Sequence, residues 1–111
     1  SWDMKLVENS ARIAAVEASA DGINWTFSPM VDLTRDPRWG RVSEANGEDV
    51  FLSNAIAKAM VRGYQGDDLS KANTIMACVK HYALNSMENA RFYVDVNLNV
   101  NCTLGTSIVL K

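Results

Sequence analysis

One histidine, two cysteines and two prolines are all that this 111-residue chain holds of three residue types that often announce chemistry or constraint. Cys78 lies in an apolar run and Cys102 in an Asn-rich tail, with neither zinc-like spacing nor a Cys-x-x-Cys pair. Cys78 reads as a small buried hydrophobe. No Gly-rich phosphate loop, nucleophile elbow or Cys/His cluster occurs, so neither a metal nor a nucleotide cofactor is implied. Basic excess is also lacking. Eleven Lys and Arg stand against thirteen Asp and Glu, a net charge of −2, which offers no field for nucleic acid. The apolar runs are too short to cross a bilayer, so no membrane partner is expected. These residues show no basic segment followed by an apolar stretch, the mark of a signal peptide. With 48% apolar residues the chain is not of disordered composition, and its length allows one domain at most. Internal repeats, low-complexity segments and blocks of like charge are absent.

What is present is a rhythm. Val7, Ala11, Ala14 and Ala18 recur at helical intervals in an Ala-rich segment, which predicts a helix over 3–20 that stops at Asp21-Gly22. Ile23 to Phe27 is aromatic and β-branched and precedes Ser28-Pro29, predicting a strand over 23–28. A polar loop from about Val31 to Gly47 follows, long enough to be functional. Leu52, Ala55, Ile56, Ala59, Met60 and Gly63 make an apolar stripe, predicting a helix over 49–63 with Glu48 and Asp49 at the positive end of its dipole and a stop at Gly63 to Gly66. Thr74 to Val79 reads as a strand buried on both faces, as in parallel sheets. Helix, strand, helix, strand is the pattern of a β/α barrel or a doubly wound sheet. Val94 to Val100 alternates like a half-exposed strand, yet its asparagines favour irregular structure.

Both predicted strands run into cationic donors. Ile23–Phe27 leads to a loop containing Arg35, Asp36, Arg38, Trp39 and Arg41, and the second strand ends at Lys80-His81. Open α/β folds and barrels keep ligands at such a rim. A pyranose needs convergent donors and an apolar wall. Arg41 brings a planar fork suited to neighbouring oxygens, Lys80 a compact charged donor, and His81 a group that donates or accepts by tautomer. Taken singly, each is more simply a solvated residue at a strand end. Trp39, beside Gly40, either walls a pocket or, more commonly for its type, anchors the loop. Asp36 before Pro37 caps backbone or pairs with an arginine, holding the loop in shape. Glu44 and Glu48 are close enough on a helical turn to suggest a carboxylate pair, but helix-dipole stabilisation explains them more simply.

Asp36-Pro-Arg-Trp-Gly-Arg41, then Gly47-Glu-Asp49, then Lys80-His81, resembles the glycoside hydrolase family 3 β-glucosidases. The likeness starts near Trp2, passes through Ser10 to Ala15 and Asp21 to Met30, and fades after His81. It implies a fragment of a TIM-type (β/α)8 barrel, about two βα units with parallel strands, within the family's N-terminal domain. It implies a retaining, exo-acting β-glucosidase, with Arg41, Lys80 and His81 holding the glycone. The implied partners are a β-linked glucoside or oligosaccharide, the remainder of the barrel and a second domain. The family's nucleophile, an aspartate commonly in Ser-Asp-Trp, and its acid/base match nothing in these residues. A periplasmic or secreted location is compatible with the resemblance. Asn89-Ala-Arg-Phe-Tyr93 departs from the family's Gly-Arg-Asp-Tyr element, so residues 85–111 read as diverged or irregular. Two other readings stay open: a non-catalytic carbohydrate-binding module, and a structural α/β domain.

Overall fold

The computed structural model describes residues 2–82 together with 85 and 86. The tail from residue 87, with the alternating segment 94–100, lies outside the described residues. Two compact units are present, one holding residues 2–29 and 55–80, the other residues 30–54, 81–82 and 85–86.

Helix α1 spans Met4–Ala20. Asp3 caps it, its Oδ1 accepting from the backbone N–H groups of Lys5 and Leu6 at 2.9 and 3.1 Å, which satisfies donors that have no partner within the helix. At the other end Gly22 takes φ +81°, and the chain reverses so that Ile23 N–H donates to Ala18 O. Helix α2 spans Val50–Gln65. Asp49 precedes it and accepts from Leu52 N–H at 2.6 Å, so this residue acts as the cap as well as a charge at the dipole.

Gly63 does not stop α2. The helix continues to Gln65, and Gly66, at φ +59°, follows it. A Cβ on Gly63 would stand 2.4 Å from Glu8 O and 2.5 Å from Ala11 Cβ. The missing side chain is what lets α2 approach α1 so closely. Ala11 and Ala15 are the buried residues of α1, and Ile56 and Ala59 are buried with Gly63 on α2. The crossing is therefore lined by small residues.

The expected parallel strands over 23–28 and 74–79 do not form: the described residues hold two α-helices and two 3-10 turns but no strand, and so no barrel-fragment sheet. An isolated parallel bridge joins Trp25 and Met76, with Met76 N–H donating to Asn24 O and Thr26 N–H to Met76 O, both at 2.9 Å. The register explains why it does not extend. Two residues after Met76, Cys78 N–H donates to Ser28 O, four residues beyond Asn24. A parallel ladder advances equally on both sides, so this slip breaks it. Pro29 adds no N–H to repair it. Burial departs from expectation as well: Trp25, Phe27, Met76 and Val79 are exposed, while Ile75 is buried.

In the second unit residues 30–33 form a buried run. The loop after it is ordered by its own bonds. Thr34 N–H donates to Gly47 O at 3.0 Å, closing residues 34–47 upon themselves, and 3-10 turns occupy Pro37–Trp39 and Val42–Glu44.

Candidate functional site

The first 3-10 turn is written into Asp36-Pro37. Proline fixes φ at the first helical position, and Asp36 Oδ1 accepts from Arg38 N–H at 3.0 Å as cap. The Arg38 guanidinium also binds both Asp36 oxygens, with Nη2 to Oδ2 at 2.6 Å. Those side-chain bonds, helped by the backbone one, hold the Asp36 carboxyl below the usual carboxylate range. Trp39 ends the turn at 2% exposure, so its ring is packed inside instead of lining an open wall. Gly40 then takes φ +84°, a left-handed conformation that redirects the chain to Arg41.

Arg41 is bound in a fork by Glu44, Nε to Oε1 at 2.7 Å and Nη2 to Oε2 at 2.6 Å. Glu44 thus serves the arginine three residues before it, and not the dipole of α2. Its hydrogen bonds raise the Arg41 guanidinium above its ordinary pKa, and the charge of Asp32 pushes in the same direction. A guanidinium has five N–H donors, and this pair engages two of them, which orients the group without exhausting it.

The residue that sequence reasoning missed is Asp32. Its carboxylate is 5% exposed, and its Oδ2 lies 2.6 Å from His81 Nδ1 and accepts from Asn85 Nδ2 at 3.3 Å. Val31 and Leu33 beside it are buried. The available signal was a carboxylate set between apolar neighbours at the start of the polar loop. Asp32 hydrogen-bonds to His81 and acts electrostatically on Arg41, so it relates two of the three predicted sugar contacts within one unit. Lys80 belongs to the first unit, where its backbone N–H donates to Pro29 O at 3.0 Å. Asp36 and Trp39 shape the loop that leads to Arg41. No group of three His, Cys, Asp or Glu able to hold a metal ion gathers among the described residues.

The chain is similar to known proteins. A periplasmic β-glucosidase of Salmonella typhimurium is 39% identical over 100 residues, 89% of this chain and 13% of that protein. Beta-D-xylosidase 1 of Arabidopsis thaliana is 36% identical over 95 residues, 80% of this chain and 12% of that protein. The solved structure of a mutant β-glucosidase from Listeria innocua in complex with laminaribiose matches 97% of this chain at 41% identity and a TM-score of 0.79, and this chain covers 17% of it. The chain therefore spans between about one-eighth and one-sixth of the length of these proteins. The profile of the glycosyl hydrolase family 3 N-terminal domain matches residues 1–97, and the chain belongs to that family.

Proposed function

We propose that this chain supplies glycone-binding residues to a retaining, exo-acting β-glucosidase, with Arg41, Lys80 and His81 as the contacts to the sugar hydroxyls. The observation that carries the reading is the anchoring of two of them by carboxylates: Arg41 by Glu44, and His81 by the buried Asp32. Donors held in this way arrive oriented, so binding energy goes into placing the sugar against the reacting groups. Arg41 retains N–H groups for adjacent oxygens, Lys80 adds a cationic donor, and His81 offers its second ring nitrogen. Asp36 and Trp39 keep the loop in register.

The chemistry itself needs two carboxylates, about 5 Å apart for retention. Asp36, Glu44 and Asp49 are engaged with Arg38, Arg41 and the start of α2. By resemblance to the family, the nucleophile and acid/base are assigned to sequence outside these residues.

The test is kinetic. In the intact enzyme, Arg41→Ala, Lys80→Ala and His81→Ala should each lower turnover of an aryl β-glucoside by about 10² or more, since misplacement forfeits orientation. Near-normal kinetics in all three would return the chain to a structural role. A β-xylosidase is the second reading, because a xylosidase is among the relatives at 36% identity. The two sugars share their ring hydroxyls and differ at the exocyclic carbon. Aryl β-glucoside and aryl β-xyloside assayed side by side decide between them. Sugar binding without hydrolysis of either would favour a carbohydrate-binding module.

A further inference from the structure

Asp32 is a carboxylate in surroundings that disfavour charge. Its side chain is 5% exposed and its sequence neighbours Val31 and Leu33 are buried. Such a group is tolerated when donors meet it. Oδ2 meets two, His81 Nδ1 at 2.6 Å and Asn85 Nδ2 at 3.3 Å. The His81 side chain remains 32% exposed, so one edge of the ring is held by the buried carboxylate while the residue still reaches the surface.

We propose that Asp32 is a positioning residue that fixes the tautomer of His81: it accepts the Nδ1 proton, leaving Nε2 as an acceptor that selects a sugar hydroxyl acting as donor. The proposal rests on the glycone-binding role given to His81 above. A neutral imidazole carries its proton on one nitrogen, and the nitrogen facing a carboxylate oxygen at 2.6 Å is the one that bears it. Asn85 occupies a second position on the same oxygen and restrains the carboxylate from turning away.

The site needs such an acceptor. Arg41 and Lys80 are donors only. A hydroxyl bound by cations alone has its oxygen satisfied and its proton unpaired, which is costly once water is excluded. His81 held with Nε2 bare supplies what the two cations cannot. It turns recognition of any oxygen into recognition of a hydroxyl.

Two measurements on the intact enzyme test this. The first is a cycle of Asp32→Asn, His81→Ala and the double variant, read as kcat/KM on an aryl β-glucoside. The amide of Asp32→Asn is able to donate to Nδ1 and invert the tautomer, so a loss of about 10² is expected. On the His81→Ala background the same change should cost less than about threefold, because residues that act through one another are not additive. Equal losses on both backgrounds would mean that Asp32 merely supports the fold, and would overturn the proposal.

The second measurement needs only His81→Ala and the unaltered protein. Methyl β-glucoside and its monodeoxy and monofluoro derivatives are compared as competitive inhibitors. At the ring position where His81→Ala abolishes the distinction between hydroxyl and hydrogen, fluorine should bind the unaltered enzyme no better than hydrogen does, since fluorine cannot donate. Fluorine that restores the affinity of the hydroxyl would show Nε2 donating, and would overturn the proposal even if Asp32→Asn failed to fold. An unimpaired His81→Ala would instead remove the glycone-binding reading itself.

Discussion

Gly63→Ala adds a single methyl group at the closest approach of α1 and α2. The new Cβ would lie 2.4 Å from Glu8 O, 2.5 Å from Ala11 Cβ and 3.0 Å from Arg12 N. Two of those atoms are backbone and the third is a Cβ, so no flexible side-chain end is available to swing aside. The helices must separate by several tenths of an ångström or more, and overpacking of this kind costs about 1–3 kcal/mol. Alanine in a helix interior recovers about 1 kcal/mol relative to glycine. Because the obstruction is backbone, the upper part of the range applies, and the net expectation is a loss of about 1–2 kcal/mol. Thermal or urea denaturation of the intact protein, followed through the transition of this domain, measures it. Ala11→Gly on top of Gly63→Ala should recover part of the loss, since it removes the 2.5 Å contact and leaves the one to Glu8 O. A Gly63→Ala variant more stable than the parent would show that helix propensity outweighs packing here, and that the close crossing does not exist in solution.

Four further outcomes are expected. Asp49→Ala removes the acceptor for Leu52 N–H and should cost about 1 kcal/mol in the same denaturation assay, with Asp49→Asn largely neutral. Asp36→Asn keeps a capping oxygen but loses the charge pair with Arg38; the folded carboxyl pKa is depressed, so this stabilisation is complete above the unfolded value near ~3.9 and disappears as pH falls through the lower folded value. The gap in melting temperature between parent and Asp36→Asn should be widest near neutrality and close at low pH; a gap independent of pH would contradict it. The 111 residues expressed alone should associate, as sedimentation would show, because Leu6, Ile13, Phe27 and Phe51 stand exposed, and should not cleave aryl β-glucosides, because the proposed nucleophile and acid/base lie outside them. Inorganic phosphate at millimolar concentration should compete poorly with the sugar; competitive inhibition at that level would contradict the charge pairing described below.

What could be read in advance follows the range of the forces involved. Both helices were legible because their apolar periodicity repeats within a few residues. Of the glycines in the expected stop, Gly66 ends the helix, while Gly63, on the apolar stripe, admits a close neighbour that belongs to a different helix. Apolar runs at 23–28 and 74–79 were read as strands and form only one isolated bridge, because a strand requires a register held with a partner. The skip from Asn24 O to Ser28 O is a property of the pair and is invisible in either segment alone. Glu44 was assigned to a helix dipole although its three-residue spacing from Arg41 was plain; two local explanations competed and the stronger hydrogen bonds won. Asp32 was missed for the same reason as the register. Its partner His81 is 49 residues away.

The carboxylates also say something about the kind of ligand such a loop suits. Cations unopposed at one rim make an anion trap, since potentials add and low-dielectric walls focus them. Here Arg38 is matched by Asp36 and Arg41 by Glu44. Each pairing cancels most of the net field while leaving directional N–H groups in place. Guanidinium side chains carry about 2 kcal/mol of rotamer entropy. When a carboxylate fixes them in the folded protein, much of that cost is met on folding and not again on binding. A phosphate or sulfate gains mainly from net positive charge, which this arrangement withholds. An uncharged polyol gains from donors already aimed, which is what the proposed glycone-binding role asks of Arg41.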